Sequence, residues 1–324
     1  MSWNALYHLN GYIDAFPPAA LKTDMLLLQI ADTRHSFELE NYPISFTRLF
    51  EAYSSENALN DPKPELIFNF LAYYRLQSKI DINTLRPLYD FALKKQEIFR
   101  DKKEITVKSY NTNLTLYTAP NQYAVIRNLR DELDFLFRNP LEIDELLQMC
   151  LCHFQIRALA PFNHFNQHTA RTYSNLWVKS QQLNFNFLPI SGPILKSKET
   201  YQLMMREITN SENYEAWCLY LLEMMREAAT NMLKTLKEIQ SMKKNTLDIM
   251  AKYTSYQLPS DELLPIIFSK PYIKPKYLIE GLDCHRQTAY AYLNHLVRAG
   301  ILIEKKSGRE KLYLHKQLFD VLSN

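Results

Sequence analysis

Apolar residues recur at helical spacing along most of this chain. Residues 21–31 follow a Pro-Pro turn and carry Leu, Met and Ile three and four apart, which predicts a helix. A second helix is expected over 32–41, closed off by Pro43. A third, over 62–76, opens on Pro62-Lys63-Pro64, residues that suit a first helical turn. Further helical blocks are expected over 123–137, 140–158, 166–183, 198–209 and 214–245. Between 104 and 120 the pattern changes. Ile105–Tyr110 and Leu114–Tyr117 are rich in β-branched and aromatic residues and flank Asn111-Thr112-Asn113, which predicts a β-hairpin. It is the one β element expected in the first two-thirds of the chain.

The helical pattern restarts at Leu258-Pro259-Ser260-Asp261-Glu262, where Ser260 reads as a helix cap. Residues 275–280, then Gly281, then 285–298 predict helix, turn, helix. Within the second helix, Ala289, Leu293, Leu296 and Val297 form the expected buried stripe. Gly300 should stop it, and strands are expected over 301–305 and 311–314 around Ser307-Gly308. That order is a winged helix-turn-helix.

Composition adds limits. The 324 residues are 47% hydrophobic, enough for a real core and too apolar for a disordered chain. Five glycines are few for a nucleotide-binding α/β protein, whose strand-to-helix turns need them. The formal charge of +3 classifies nothing by itself. Its distribution says more: residues 270–316 hold ten Lys or Arg against four Asp or Glu, which fits either a solvated surface or a phosphate-contacting module. Cys150, Cys152, Cys218 and Cys284 have the spacing of neither a zinc knuckle nor a disulfide framework. No stretch approaches the roughly 20 apolar residues of a membrane span. A cytoplasmic protein is the default expectation.

The stretch from Ala160 to Arg171, Ala-Pro-Phe-Asn-His-Phe-Asn-Gln-His-Thr-Ala-Arg, resembles the signature of the Fic (Fido) family, His-Pro-Phe-x-Asp/Glu-Gly-Asn-Gly-Arg-x-x-Arg. Members of that family mostly transfer AMP from ATP to a protein hydroxyl. Ser36-x-x-x-Glu40-Asn41 resembles the family's inhibitory motif, Ser/Thr-x-x-x-Glu-Gly/Asn. The resemblance implies a mainly α fold: a Fic/Fido helical core with a β-hairpin flap, plus a C-terminal winged helix-turn-helix domain. The expected division is 1–100 for an N-terminal helical region with the inhibitory helix, 101–257 for the core and 258–324 for the winged helix.

The resemblance also implies roles, which fail or survive residue by residue. Ala160 stands at the position of the histidine that accepts the target's proton, and a methyl group cannot accept one. His164 replaces the metal-binding acid, and magnesium prefers oxygen ligands. Phe165 and Gln167 replace two glycines that let the backbone approach phosphate, and His168 replaces the first arginine. Asn166 and Arg171 are the retained nucleotide-binding residues, and Glu40 is expected to pair directly with Arg171.

His164 and His168, four apart, are weak substitutes for the lost base. They are read also as a two-ligand metal pair or as purely structural, and no metal site is assigned. His153 reads as a packed, hydrogen-bonded core residue. ATP with Mg or Mn is expected only if nucleotide binding persists. Three functional readings follow: a regulatory or scaffolding protein without ordinary AMP transfer, a protein adenylyltransferase with a noncanonical active site, or a winged-helix DNA-binding regulator. In the last, Arg286 and Gln287 would read bases while Lys305, Lys306, Arg309 and Lys311 hold the backbone. The expected partners are a protein target of unknown identity and duplex DNA, with a homodimer left open and no membrane.

Overall fold

The computed structural model describes residues 2–17, 19–54, 64–68, 71, 100, 105–109, 111–121, 131, 135, 136, 138, 142–181, 183–253, 258–307 and 310–323. Most of the helices expected over 62–76 and 123–137, together with Arg309, lie outside these residues. The described chain is mainly helical and packs as two compact units. One comprises residues 1–16, 32–44 and 65–232, and the other 17–31, 45–64 and 233–324.

In the first unit, α1 (Ser2–Asp14) buries Leu6, Leu9 and Ile13. Helix α2 (Lys22–Leu39) runs unbroken where the sequence suggested two helices, because no Gly or Pro interrupts residues 22–39. Only its second half belongs to this unit. Asn41 ends it in the left-handed region (φ 56°), and the Tyr42 N–H returns to the Phe37 carbonyl. The hairpin forms as expected: β1 (Thr106–Lys108) pairs antiparallel with β2 (Thr115–Thr118), with a register shift at Val107/Lys108.

The centre of this unit is a pair of packed helices, α4 (Glu145–Leu159) and α5 (Asn166–Ser180). Helix α4 starts later than the sequence pattern suggested, because Asp144 caps it by accepting the Leu146 N–H. Behind them lie α6 (Ser191–Lys196), α7 (Lys198–Ser211) and the start of α8 (Tyr214–Tyr253). Trp217 and Tyr201 stack there, both fully buried.

The second unit contains α3 (Phe46–Tyr53), the rest of α8, then α9 (Ser260–Ile267), β3 (Tyr272–Ile273), α10 (Pro275–Leu282), α11 (Arg286–Arg298), β4 (Ile303–Ser307), β5 (Glu310–Leu314) and α12 (Lys316–Ser323). The sheet order is β3-β5-β4, all antiparallel. This arrangement is compatible with a winged helix-turn-helix. Three local expectations need correction. Ser260 is the first residue of α9 rather than its cap, its hydroxyl turned back to the Leu258 carbonyl. Gly281 does not make the turn: it lies inside α10, and Asp283 takes the left-handed conformation (φ 46°). Val297 is only half-buried, while Ala289, Leu293 and Leu296 are buried as expected. Gly300 does stop α11, at φ 75°.

Candidate functional site

Residues 160–165 link α4 to α5 as a tight loop held at both ends by left-handed residues. Ala160 (φ 45°) terminates α4, its N–H bonded to the Ile156 carbonyl. Phe165 (φ 58°) sits at the entry to α5. Neither is glycine, so both positions are strained and need outside support. Asn166 supplies part of it. Its Oδ1 accepts the Phe162 N–H at 2.9 Å, and its Nδ2 donates to the Phe162 carbonyl at 2.7 Å. The side chain expected to contact phosphate is thus engaged in closing its own loop. The Arg100 N–H adds a bond to the Pro161 carbonyl at 2.8 Å.

The end of α2 lies on this loop. Phe37, fully buried, has its ring centroid 5.2 Å from that of Phe165 and 4.8 Å from that of His168. Tyr42 meets Phe165 edge-on at 5.8 Å. The aromatic ring at 165 therefore seats the end of α2. The sequence held this signal in Phe37 and Tyr42, but nothing in their spacing paired them with Phe165.

The polar contacts complete the clamp. The Glu40 carboxylate accepts the His168 N–H in the first turn of α5 and interacts with the Gln167 N–H beside it. It occupies the place where a helix N-terminus would otherwise hold an anion. Burial pushes its carboxyl above the usual range, with Arg171 opposing that shift. Arg171 is 1% exposed. It donates from Nε to the Ser36 hydroxyl and from Nη2 to the Ser36 carbonyl, both at 2.8 Å, and its Nη1 has no partner. Glu40 and Arg171 form an ion pair at 4.0 Å rather than the expected direct hydrogen bond. Ser36 thus holds Arg171, Glu40 caps α5, and Asn41 ends α2.

The two candidate histidines separate. His168 is buried, with Nδ1 2.7 Å from the Ser36 hydroxyl and Nε2 3.3 Å from the Thr172 hydroxyl. A neutral ring fits both contacts, and burial, then Arg171, holds its pKa well below the usual value. His164 is exposed and lines a cavity of about 760 Å³ between the hairpin and the loop. They do not form a metal pair, and no group of three His, Cys, Asp or Glu able to hold a metal occurs among the described residues. Glu40 is the one carboxylate among the described residues lining the cavity, and it is engaged by α5. That donor set does not fit magnesium. His153 is a core residue, bonded to the Ser174 hydroxyl at 2.8 Å and the Tyr201 hydroxyl at 2.7 Å.

Solved structures share this architecture. A Fic family protein from Desulfovibrio desulfuricans G20 aligns over 97% of this chain and 95% of its own, at 16% identity and a TM-score of 0.59. A Fic domain containing signaling protein from Bacteroides thetaiotaomicron VPI-5482 aligns over 72% of this chain and 96% of its own, at 14% identity and a TM-score of 0.56. The chain is a Fic-fold protein. Fic-1 from C. elegans, residues 134–508, aligns over 73% of this Fic-fold chain and 72% of its own, at 13% identity and a TM-score of 0.51. Residues 246–318 match the family model described as the C-terminal domain of SoFic-like protein adenylyltransferase.

Those C-terminal residues include the candidate nucleic-acid interface of the Fic-fold protein. Arg286 and Gln287 are exposed in the first turn of α11, and the Arg286 guanidinium lies 5.6 Å from the centre of the Tyr290 ring. Lys305 and Lys311 are exposed on the neighbouring strands, with Lys311 paired to Glu304 at 2.8 Å. The Lys306 side chain falls outside the described residues, as does Arg309. No described helix is long and apolar enough to cross a membrane.

Proposed function

We propose that this Fic-fold protein does not carry out ordinary AMP transfer and acts as a regulatory or scaffolding protein. Ala160 carries the reading. It closes α4 at the point where the family resemblance places the proton-accepting base, and its methyl group can neither take a proton nor orient a hydroxyl. Two further features support it. Glu40 fills the N-terminal end of α5, and both ring nitrogens of His168 are engaged by hydroxyls. Transfer by this chain would fall to His164, which stands exposed at the cavity.

The test is incubation with α-labelled ATP of the full chain, of Glu40→Gly, which releases the clamp, and of Glu40→Gly/His164→Ala. The expected result is no label on the chain or on added protein targets in any of the three. Label transferred by the single variant and lost in the double would overturn the proposal and assign His164 as the base.

A second reading has its own observation. Arg286 and Gln287 are both exposed at the N-terminal end of α11, whose first turn contains no acidic residue. That supports contact with duplex DNA.

A further inference from the structure

Arg157 projects from the last turn of α4 and lines the same cavity, yet it is only 1% exposed. Its guanidinium lies over the Tyr201 ring, 3.8 Å from the centroid, and its Nη1 donates to the Tyr201 carbonyl at 3.2 Å. Those contacts use one face and one nitrogen. Nε and Nη2 have no hydrogen-bond partner. In a guanidinium these two nitrogens share one edge, and their parallel N–H groups match the two oxygens of a carboxylate or phosphate. Buried donors are nearly always paired, so a complete unpaired edge on a buried cation is a conspicuous deficit.

The charge balance points the same way. Arg157 and Arg171 are both buried, and Glu40, which feels both, lies at 4.0 Å from Arg171 and hydrogen-bonds to α5 rather than to either guanidinium. Lys108 adds a further cation at the cavity, exposed on the hairpin. Two residues that line the cavity, Asn163 and Gln167, carry buried oxygens (Oδ1 and Oε1) without a hydrogen-bond partner. Ala160 also lines it, with a methyl group.

We propose that the cavity binds a small oxyanion-bearing molecule whose phosphate or carboxylate takes the Nε/Nη2 edge of Arg157, with Asn163 and Gln167 accepting donors from the rest of the ligand. This anion site is separate from the α5 N-terminus, which Glu40 fills. It does not depend on whether the loop transfers AMP, so either proposal can fail without the other.

The full-length protein would be titrated calorimetrically with inorganic phosphate, with ATP in the presence of a chelator, and with citrate. The expected result is one saturable site for at least one of the three, and which of them binds separates a phosphate from a carboxylate source. Arg157→Met should weaken that binding by about tenfold or more, and Arg157→Lys, a point charge without the fork, should weaken it less. Because Arg157→Met could fail to fold, the Nε–H signal of Arg157 in the wild-type chain, labelled with nitrogen-15 arginine and assigned by its loss in Arg157→Lys, provides an independent readout. It should shift in step with the calorimetric saturation. No saturable binding of any probe, or binding that leaves the Nε–H signal unmoved, would overturn the proposal.

Discussion

Arg171 reaches Ser36 through both its Nε and its Nη2, at 2.8 Å each, while the nearest Glu40 oxygen is 4.0 Å away. The buried cation is thus held mainly by a hydroxyl and a carbonyl of α2. The carboxylate that the sequence motif offers as its partner spends its hydrogen bonding on the α5 backbone. Ser36 also meets His168 at 2.7 Å, so its hydroxyl joins two side chains of α5. With the Ser36 hydroxyl donating to His168 Nδ1 and accepting from Arg171, the His168 Nε2–H is free to donate to Thr172.

Removing that hydroxyl should therefore cost more than neutralising the glutamate. Ser36→Ala leaves Arg171 Nε unpaired beside an already unpartnered Nη1, a loss of about 1–3 kcal/mol. Glu40→Gln retains an oxygen that can accept from α5 and should cost less. Urea unfolding midpoints of the two variants check the order. The reverse order would make Glu40 the main support of the clamp.

Ala160→His alone should not produce transfer of labelled AMP. The backbone at 160 tolerates the change only with left-handed strain, and Asn166 still closes the loop on Phe162. Glu40 still fills the α5 N-terminus, and no acid stands at 164. Catalytic groups act only when placed together, so restoring one of several should leave the rate at background. Gel autoradiography with α-labelled ATP decides it, and transfer from this single change would show that the remaining loop is competent.

Acid should remove what neutral His168 contributes to the α2–α5 contact. His168 and His153 are buried with pKa values held well below 6.5, and burial lowers His35 to about 4. An unfolded chain takes up these protons first as the pH falls, so their contribution is complete above about 6.5 and declines below it, by up to about 1.4 kcal/mol per pH unit for each histidine. Asp32 runs the other way. Burial raises it to about 7 although it accepts both the Ser191 N–H and hydroxyl, so its penalty grows from about pH 4 to 7. Glu40 and Asp24, also raised by burial, run with Asp32, while His315, lowered to about 4, runs with the other histidines, so the linkage is read at His168 itself. His168→Asn, which cannot titrate, should be clearly less stable than wild type at pH 7.5 and much closer to it at pH 5 in denaturant titrations. An equal gap at both values would mean that His168 carries no proton linkage.

Much of this was legible in the sequence because it rests on local pattern. β-Branched and aromatic residues around Asn111-Thr112-Asn113 mark the hairpin, and the 160–171 stretch marks the loop and the start of α5. Long-range partners were not legible. The sequence marks Phe165 only as a bulky residue at a glycine position, because its partners Phe37 and Tyr42 lie over 120 residues away in the chain. Arg157 carries no signal in the sequence, since its 1% exposure and unpaired edge exist only once α7 brings Tyr201 beneath it. Gly281 read as a turn because glycine usually marks one. Its actual constraint is closeness to α9.

That constraint is testable. A Cβ built at Gly281 would lie 2.6 Å from Ile266 Cδ1 and 3.2 Å from its Cγ1. Gly281→Ala should gain about 1 kcal/mol of helix propensity and lose about 1–3 kcal/mol to overpacking, leaving it between neutral and about 2 kcal/mol less stable. Ile266→Val removes the Cδ1 atom, so the double variant should recover most of that loss. Thermal unfolding of the four chains in a double-mutant cycle measures the coupling. Additive effects would mean that α9 and α10 separate without cost.

Finally, the exposed basic residues of the second unit should not contribute equally to duplex DNA binding. Lys305 is exposed on β4, 6.0 Å from the centre of the Tyr272 ring, and is directed by no carboxylate at salt-bridge distance among the described residues. Lys311 is held by Glu304 at 2.8 Å, an exposed pair that must be given up, at least in part, before the ammonium can meet a phosphate. Lys305→Ala should therefore weaken binding to every duplex, Lys311→Ala should weaken it less, and Glu304→Gln should strengthen it. Arg286→Ala or Gln287→Ala should instead narrow the difference between preferred and random sequences, since these side chains stand at the start of α11 where base edges are read. Affinity should fall steeply with salt as counterions are released, and the slope should be shallower in Lys305→Ala. Fluorescence anisotropy of the full chain at two salt concentrations measures all of this. No binding to a randomised duplex pool at low salt would leave the C-terminal elements a protein-docking module and remove the DNA reading.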